Sequence, residues 1–152
     1  MNYLRALIRE VIKDEKNFTG AGIVVVKKEK DNLKFLGLRT KKGMDIPKGG
    51  ADQDESPIET AKRETYEEAS LADADLNFEW GKPSIKIGGR LFVFVASTKK
   101  TPSIGVNPKT GEKEHDGFSW LSYEDMMNNC QDFLQPAITW ARDVIENEGK
   151  RD

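Results

Sequence analysis

The sequence has a single cysteine, Cys130, so no disulfide can close within the chain and a bridge-stapled scaffold is excluded. No apolar run approaches the roughly 18 residues that a membrane-spanning helix needs, so a membrane partner is not expected. Positive charge is not in excess either: 24 Lys and Arg stand against 26 Asp and Glu, a net charge of -2. Whole-molecule charge therefore does not attract polyanions, and any phosphate ligand must be held locally. There is no internal repeat, no linker and no signal-like start. The expectation is a cytoplasmic protein, monomer or homodimer, whose residues 1–152 form one domain with a full core.

Apolar spacing supplies the elements. Leu4, Leu7, Ile8, Val11 and Ile12 recur at helical intervals, which predicts an amphipathic helix over 3–14. The β-branched run 23–26 and the segment 35–39, joined through Lys30, Asp31 and Asn32, read as paired strands. Segments 84–87 and 91–96 flank Gly88-Gly89, which predicts a hairpin. Leu91, Val93 and Val95 fall on one face of its second strand, and Phe92, Phe94 and Ala96 on the other. With both faces apolar, that strand is expected to be central and covered on both sides. Residues 101–117 carry no apolar period and read as a long surface loop. A short strand at 118–121 follows, then a helix capped by Ser122, then a last helix with Pro136 in its first turn. Ala137, Trp140, Ala141, Val144 and Ile145 give that helix a buried stripe. The fold class predicted is α+β, an α/β/α sandwich with a mixed β-sheet between helices.

Acidic residues crowd one stretch: Asp52, Asp54, Glu55, Glu59, Glu64, Glu67 and Glu68 stand against only Lys62 and Arg63. Ser56, Pro57 and Glu59 give the start of a helix, with a Ser N-cap, Pro in the first position and an acid to close a capping box. On that helix Ile58, Ala61, Thr65, Ala69 and Ala72 share the arc expected to be buried. Glu64, Glu67 and Glu68 occupy a neighbouring arc, where like charges repel by a few tenths of a kcal/mol per pair. A hard divalent cation such as Mg²⁺, which takes carboxylate oxygens, waters and phosphate oxygens, would offset that repulsion. A solvated acidic face is the plain alternative. A calcium loop starting at Asp52 is excluded, since its sixth position is not Gly and Arg63 stands where the closing Glu belongs. Upstream, Pro47-Lys48-Gly49-Gly50 is a tight turn where backbone can approach a ligand and Lys48 can meet a phosphate.

Gly49, then Glu55 after five residues, Arg63-Glu64 after seven more, Glu67-Glu68 after two, and Ser70-Leu71 after one: this series resembles the Nudix box. The resemblance implies hydrolysis of a phosphoanhydride bond in a nucleoside diphosphate linked to another group, with Mg²⁺ or Mn²⁺ as cofactor. It implies that Glu64, Glu67 and Glu68 bind metal with the box glycine Gly49, and that one of the glutamates also deprotonates or orients the attacking water. It implies too that Arg63 and Glu55 form the pair that holds a carboxylate in place. The chain departs from the family pattern at Thr65, usually apolar, at Ser70, usually Gly, and at Asp54, often Gly. That last change leaves open which backbone carbonyl joins the metal.

Beyond the box, residues 113–121 are similar to a segment that supplies a further catalytic or metal-binding Glu in dinucleoside-polyphosphate hydrolases and in bacterial RNA pyrophosphohydrolases. Glu114 is the candidate here, with an ordinary loop acid as the alternative and His115 as a surface side chain. Lys48 and Arg39 are the candidates for substrate phosphates, with Lys41, Lys42 and Arg90 as lesser ones; Trp80, Tyr66 and Phe118 are candidates for stacking on a base. The preferred substrate is a dinucleoside polyphosphate. The alternatives are the 5′ end of RNA, ADP-ribose and, in a different class, a non-catalytic nucleotide-binding module.

Overall fold

The structure, a computed structural model, describes residues 18–149, so the helix expected over 3–14 lies outside the described residues. Strands β1 (Gly20–Glu29) and β2 (Asn32–Thr40) pair antiparallel, with Val26 opposite Phe35, around a turn at Lys30 and Asp31. β3 (Gly43–Asp45) and β8 (Phe118–Leu121) both pair with β2, and β4 (Lys48–Gly50) pairs with the start of β1. β5 (Leu76–Asn77) and β6 (Ser84–Ile87) both pair antiparallel with β7 (Leu91–Thr98). Parallel pairing of β1 with β7, from Gly20 opposite Leu91 to Val26 opposite Ser97, makes the sheet mixed and its order β3-β2-β1-β7-β5. The hairpin expected at the glycine pair is present, with Gly88 and Gly89 both at positive φ.

Helices cover both faces. α1 (Pro57–Ala69) lies over Ala21, Ile23, Val25, Leu36, Leu38, Phe94 and Ala96. On the opposite face α2 (Tyr123–Asn129) and α3 (Gln135–Gly149) bring Met126, Ala137, Ile138 and Ala141 onto Val24, Val26, Phe35, Val93 and Val95. Adjacent residues of β1 and β7 thus enter different cores, which is why both strands are apolar without alternation. The result is the expected α/β/α sandwich. Among the described residues, no helix is long and apolar enough to cross a membrane.

α1 carries the capping box in full: Ser56 Oγ accepts from the Glu59 amide, and Glu59 Oε1 accepts from the Ser56 amide. Its buried face differs from the arc expected. Pro57, Thr60 and Glu68 are buried with Ala61, Thr65 and Ala69, whereas Ile58 and Ala72 are half-buried. The helix is turned toward Glu68, whose carboxylate folds under the β4 backbone, and Ala72 has already left the helix for extended backbone. Thr65 keeps its hydroxyl inside by donating to the Ala61 carbonyl at 2.7 Å.

Candidate active site

Glu64, Glu67 and Glu68 of α1 lie toward the β4 turn. Glu64 lies so close to Gly49 that a Cβ there would overlap its carboxylate, so a larger residue would displace this side chain from the turn. Arg63 joins the surrounding groups. Its Nε and Nη2 donate to the two oxygens of Glu55 at 2.7 and 3.1 Å, and Nη2 also donates to the Gly50 carbonyl at 2.7 Å. Its Nη1 reaches Glu64 at 3.0 Å and Glu67 at 3.2 Å. Glu55 accepts further bonds from the Asp52 amide and the Thr60 hydroxyl. The Arg63 guanidinium, with these bonds, holds the Glu55 carboxyl down at about 2, and Glu55 in turn pushes Arg63 above its ordinary range.

Glu68 belongs to a different environment. It is 8% exposed, and one oxygen accepts from the Lys48 amide at 2.8 Å. Burial, together with the neighbouring Glu114 carboxylate, pushes the Glu68 carboxyl up to about 9. The hydrogen bond that protonated Glu68 gives to Glu114 holds Glu114 below its usual range, helped by Asn107 Nδ2 at 2.9 Å from Glu114 Oε1. Desolvation raises Glu64 as well, with the Arg63 charge opposing it. The site thus sets carboxylates held in their charged form, Glu55 before the helix and Glu114 in the loop, beside a helical one, Glu68, that favours its proton.

Segment 101–117 has no strand or helix, as expected, but it is more than a surface loop. The Ser103 and Gly105 amides donate to the Ala69 and Glu68 carbonyls, capping the end of α1. A Cβ on Gly105 would collide with the Glu67 carbonyl, so glycine permits this docking. Pro102 and His115 are buried; His115, 4% exposed, is not a surface side chain. Its Nε2 lies 3.2 Å from Asp45 Oδ2, and Lys48 Nζ meets the same oxygen at 3.2 Å. Burial alone would raise the Asp45 carboxyl, but the His115 bond, the Lys48 charge and the Ile46 amide together hold it below its ordinary value.

The structure therefore brings together Gly49, Arg63, Glu64, Glu67, Glu68, Lys48 and Glu114 around a groove of ≈ 260 Å³ and an adjoining recess, with Glu55 behind Arg63. A ligand atom from each of Glu68, Glu114 and His115 lies within 4.8 Å of the others; the two carboxylates suit a hard divalent cation, and the imidazole suits a softer one. Arg39 stands apart from the carboxylates, 3.3 Å from Ser119 and 3.8 Å from Asp116, because β2 carries it to the β8 side. Trp80 packs under Lys28 and Phe118 on the α1 core, while Tyr66 is 61% exposed on α1. Sequence reading missed Asp45, Asn107 and Phe133, which is exposed with Lys48 Nζ over its ring at 5.7 Å. Asp45 had one available signal, a lone acid between apolar Met44 and Ile46. A larger cleft, ≈ 770 Å³, lies elsewhere, lined by Lys27, Lys28, Lys99 and Lys100, with Asp75 and Glu79 pairing two of them.

A helix of clustered carboxylates on one face of a mixed sheet, closed by a glycine turn and an Arg–Glu pair, is an arrangement that suits metal-assisted hydrolysis of a phosphoanhydride. The NUDIX domain family model matches residues 11–146, and the chain belongs to that family. A curated RNA pyrophosphohydrolase of Francisella tularensis subsp. mediasiatica is 25% identical over 152 residues, spanning 86% of this chain and 98% of the relative. The crystal structure of a C. elegans Ap4A hydrolase binary complex covers 84% of this chain and 98% of its own, with a TM-score of 0.68 and 19% identity. The NUDIX domain of Shewanella oneidensis NrtR, complexed with ADP ribose, covers 85% and 88%, with a TM-score of 0.60 and 15% identity. At such identities the structural likeness speaks for the fold. The chain is a pyrophosphohydrolase of a family that typically depends on a divalent metal.

Proposed function

We propose that the protein hydrolyses a phosphoanhydride bond of a dinucleoside polyphosphate with Mg²⁺ or Mn²⁺. The observation that carries this reading is the convergence of Glu64, Glu67 and Glu68 with Glu114 around the groove and its adjoining recess, beside Lys48. Glu64, Glu67 and Glu68 would hold the cation, with backbone of the Gly49 turn beside it. Bound there, a divalent cation neutralises phosphate oxygens and lowers the pKa of a bound water. Glu67, Glu64 or Glu114 takes the proton from the attacking water, within the reach the groove allows. Arg63, gripped by Glu55, keeps the Glu64 and Glu67 carboxylates in place. Lys48 meets a phosphate, and the exposed Phe133 ring beside it offers a face for a base. Arg39 would reach only phosphates that extend toward β8.

A second reading, removal of pyrophosphate from the 5′ end of RNA, is favoured by the curated relatives, RNA pyrophosphohydrolases 24% and 25% identical. The lining of the groove, Asp52, Glu64, Glu67 and Glu114 against Lys48, Arg63 and Lys109, is not basic on balance and ranks it second. A panel of diadenosine polyphosphates, ADP-ribose and 5′-triphosphorylated RNA, assayed with Mg²⁺ and Mn²⁺ and read by product mass, decides between them. Release of mononucleotides from a diadenosine polyphosphate is expected, and turnover of RNA alone would overturn the preference. Glu67→Gln and Glu68→Gln should each abolish metal-dependent turnover while the fold persists. Full activity in both would defeat the roles assigned, whereas no turnover of any substrate by the wild type would leave a non-catalytic nucleotide-binding module.

A further inference from the structure

We propose that Asp45 is a positioning residue for this reaction, whose single oxygen Oδ2 grips His115 and Lys48 together and thereby sets Glu114 and the Lys48 ammonium on either side of Glu68. The proposal rests on the reading of the site given above. Asp45 ends β3, is 5% exposed, and spends its other oxygen on the Ile46 amide at 2.8 Å. Taking a carboxylate out of water costs several kcal/mol. A buried acid with both oxygens occupied is a costly way to stabilise a strand. It is an effective way to fix geometry.

The geometry concerns the loop. Residues 101–117 are anchored at one end by the bonds to α1, and at the other by Asp116 and Gly117 pairing with the Arg39 backbone at 3.1 and 2.8 Å. Between those anchors, His115 is the buried side chain that ties the loop to the sheet, and it follows Glu114 directly. Asn107 holds Glu114 from within the loop, so the carboxylate is set by one bond from its own loop and by a tie to β3. Lys48, on the neighbouring strand, is restrained by the same Asp45 oxygen while its amide holds Glu68. A displacement of about 1 Å at such a group costs on the order of 100-fold in rate. The tie to Asp45 is what keeps the loop from supplying that displacement.

The test compares Asp45→Asn, His115→Gln and Glu114→Gln singly and as the Asp45→Asn/Glu114→Gln and His115→Gln/Glu114→Gln pairs. His115→Gln severs the tie from its other end and leaves the Asp45–Lys48 pair in place, so the question survives if Asp45→Asn fails to fold. Turnover is measured on diadenosine tetraphosphate and on 5′-triphosphorylated RNA, binding of Mn²⁺ alone by calorimetry, and folding by thermal midpoint. His115→Gln is expected to lower kcat about 10- to 100-fold with KM nearly unchanged, and Asp45→Asn to lower kcat similarly and raise KM through Lys48. Both should weaken Mn²⁺ binding. In the Glu114→Gln background neither should lower kcat or Mn²⁺ affinity further by more than about threefold. Equal losses in both backgrounds, or wild-type kcat in both single variants, would overturn the proposal. Wild-type kcat and Mn²⁺ affinity in Glu114→Gln would instead show that the role of Glu114 is wrong, a different outcome from additivity.

Discussion

Replacing Arg63 by Met keeps the stem of the side chain and removes its charge and all its donors. The loss comprises the fork onto Glu55, the bond to the Gly50 carbonyl and the contacts to Glu64 and Glu67. Hydrogen bonds to charged groups contribute about 1.5–3 kcal/mol each, but these share one residue and do not add in full. The Arg63 and Glu55 side chains are 24% and 17% exposed, so solvent screens part of the gain. A cost of about 2–4 kcal/mol follows for the metal-free protein. Saturating Mg²⁺ should reduce that cost by about 1 kcal/mol or more, because a cation bound by Glu64 and Glu67 takes over part of their neutralisation. The Glu55 fork stays broken. The assay is urea unfolding of wild type and Arg63→Met at neutral pH, once with chelator and once with Mg²⁺. An equal cost in the two conditions would refute the idea that the guanidinium and the metal share these carboxylates.

Two substitutions test the backbone around the box, and one titration tests its charge. Asp54 and Ser70 both sit at positive φ, 66° and 58°, where glycine is less strained by about 0.5–1 kcal/mol. Asp54→Gly should therefore raise the unfolding midpoint, while Ser70→Gly should gain less because its hydroxyl bond to the Ser103 carbonyl at 2.9 Å is lost; equal gains would contradict that offset. Glu68, raised to about 9 against an ordinary 4.5, holds a proton in the folded metal-free state that the unfolded chain has already released. Its contribution to stability is fully present below about 4.5 and is lost as pH rises through about 9. Cation binding must displace that proton, so the rise in thermal midpoint on adding Mg²⁺ should grow from about pH 6 to about pH 9. A gain that shrinks over that range would show that Glu68 is not displaced by metal. Glu55, held at about 2, behaves oppositely: its contribution is present above 4.5 and fades as pH falls toward 2.

What could be read from the sequence was local. Ser56, Pro57 and Glu59 specify the start of α1 through bonds that span three residues, and the structure shows those bonds. The unbroken apolar character of 23–26 and 91–96 reports two covered faces, because each residue answers to its own side of the sheet. Helical spacing likewise puts Glu64, Glu67 and Glu68 on adjoining arcs. It cannot say how far the helix is turned, and here the turn that buries Glu68 and half-exposes Ile58 follows from the Lys48 amide of another strand. The contact between Asp45 and His115 joins positions 70 residues apart in a strand end and a loop with no apolar period. Such a contact exists only after the sheet has closed. Arg39 shows the same limit, since its place beside β8 depends on strand order.

The division within the carboxylate cluster bears on the chemistry more than its existence does. Helix spacing alone would give three similar acids, each repelling the others. Arg63 draws Glu64 and Glu67 toward the Glu55 side, and the loop that caps α1 sets Glu114 against Glu68 on the other. The first half is balanced by a fixed guanidinium and the second by a proton. A proton can leave where a guanidinium cannot, so a cation held by Glu64, Glu67 and Glu68 would displace the proton of Glu68 while Arg63 stays in place. Glu67, half-exposed and held by Arg63 through the weaker contacts of 3.2 and 3.3 Å, is then the carboxylate freest to turn toward a water. Of the three helical glutamates, it is the one whose surroundings best suit a base.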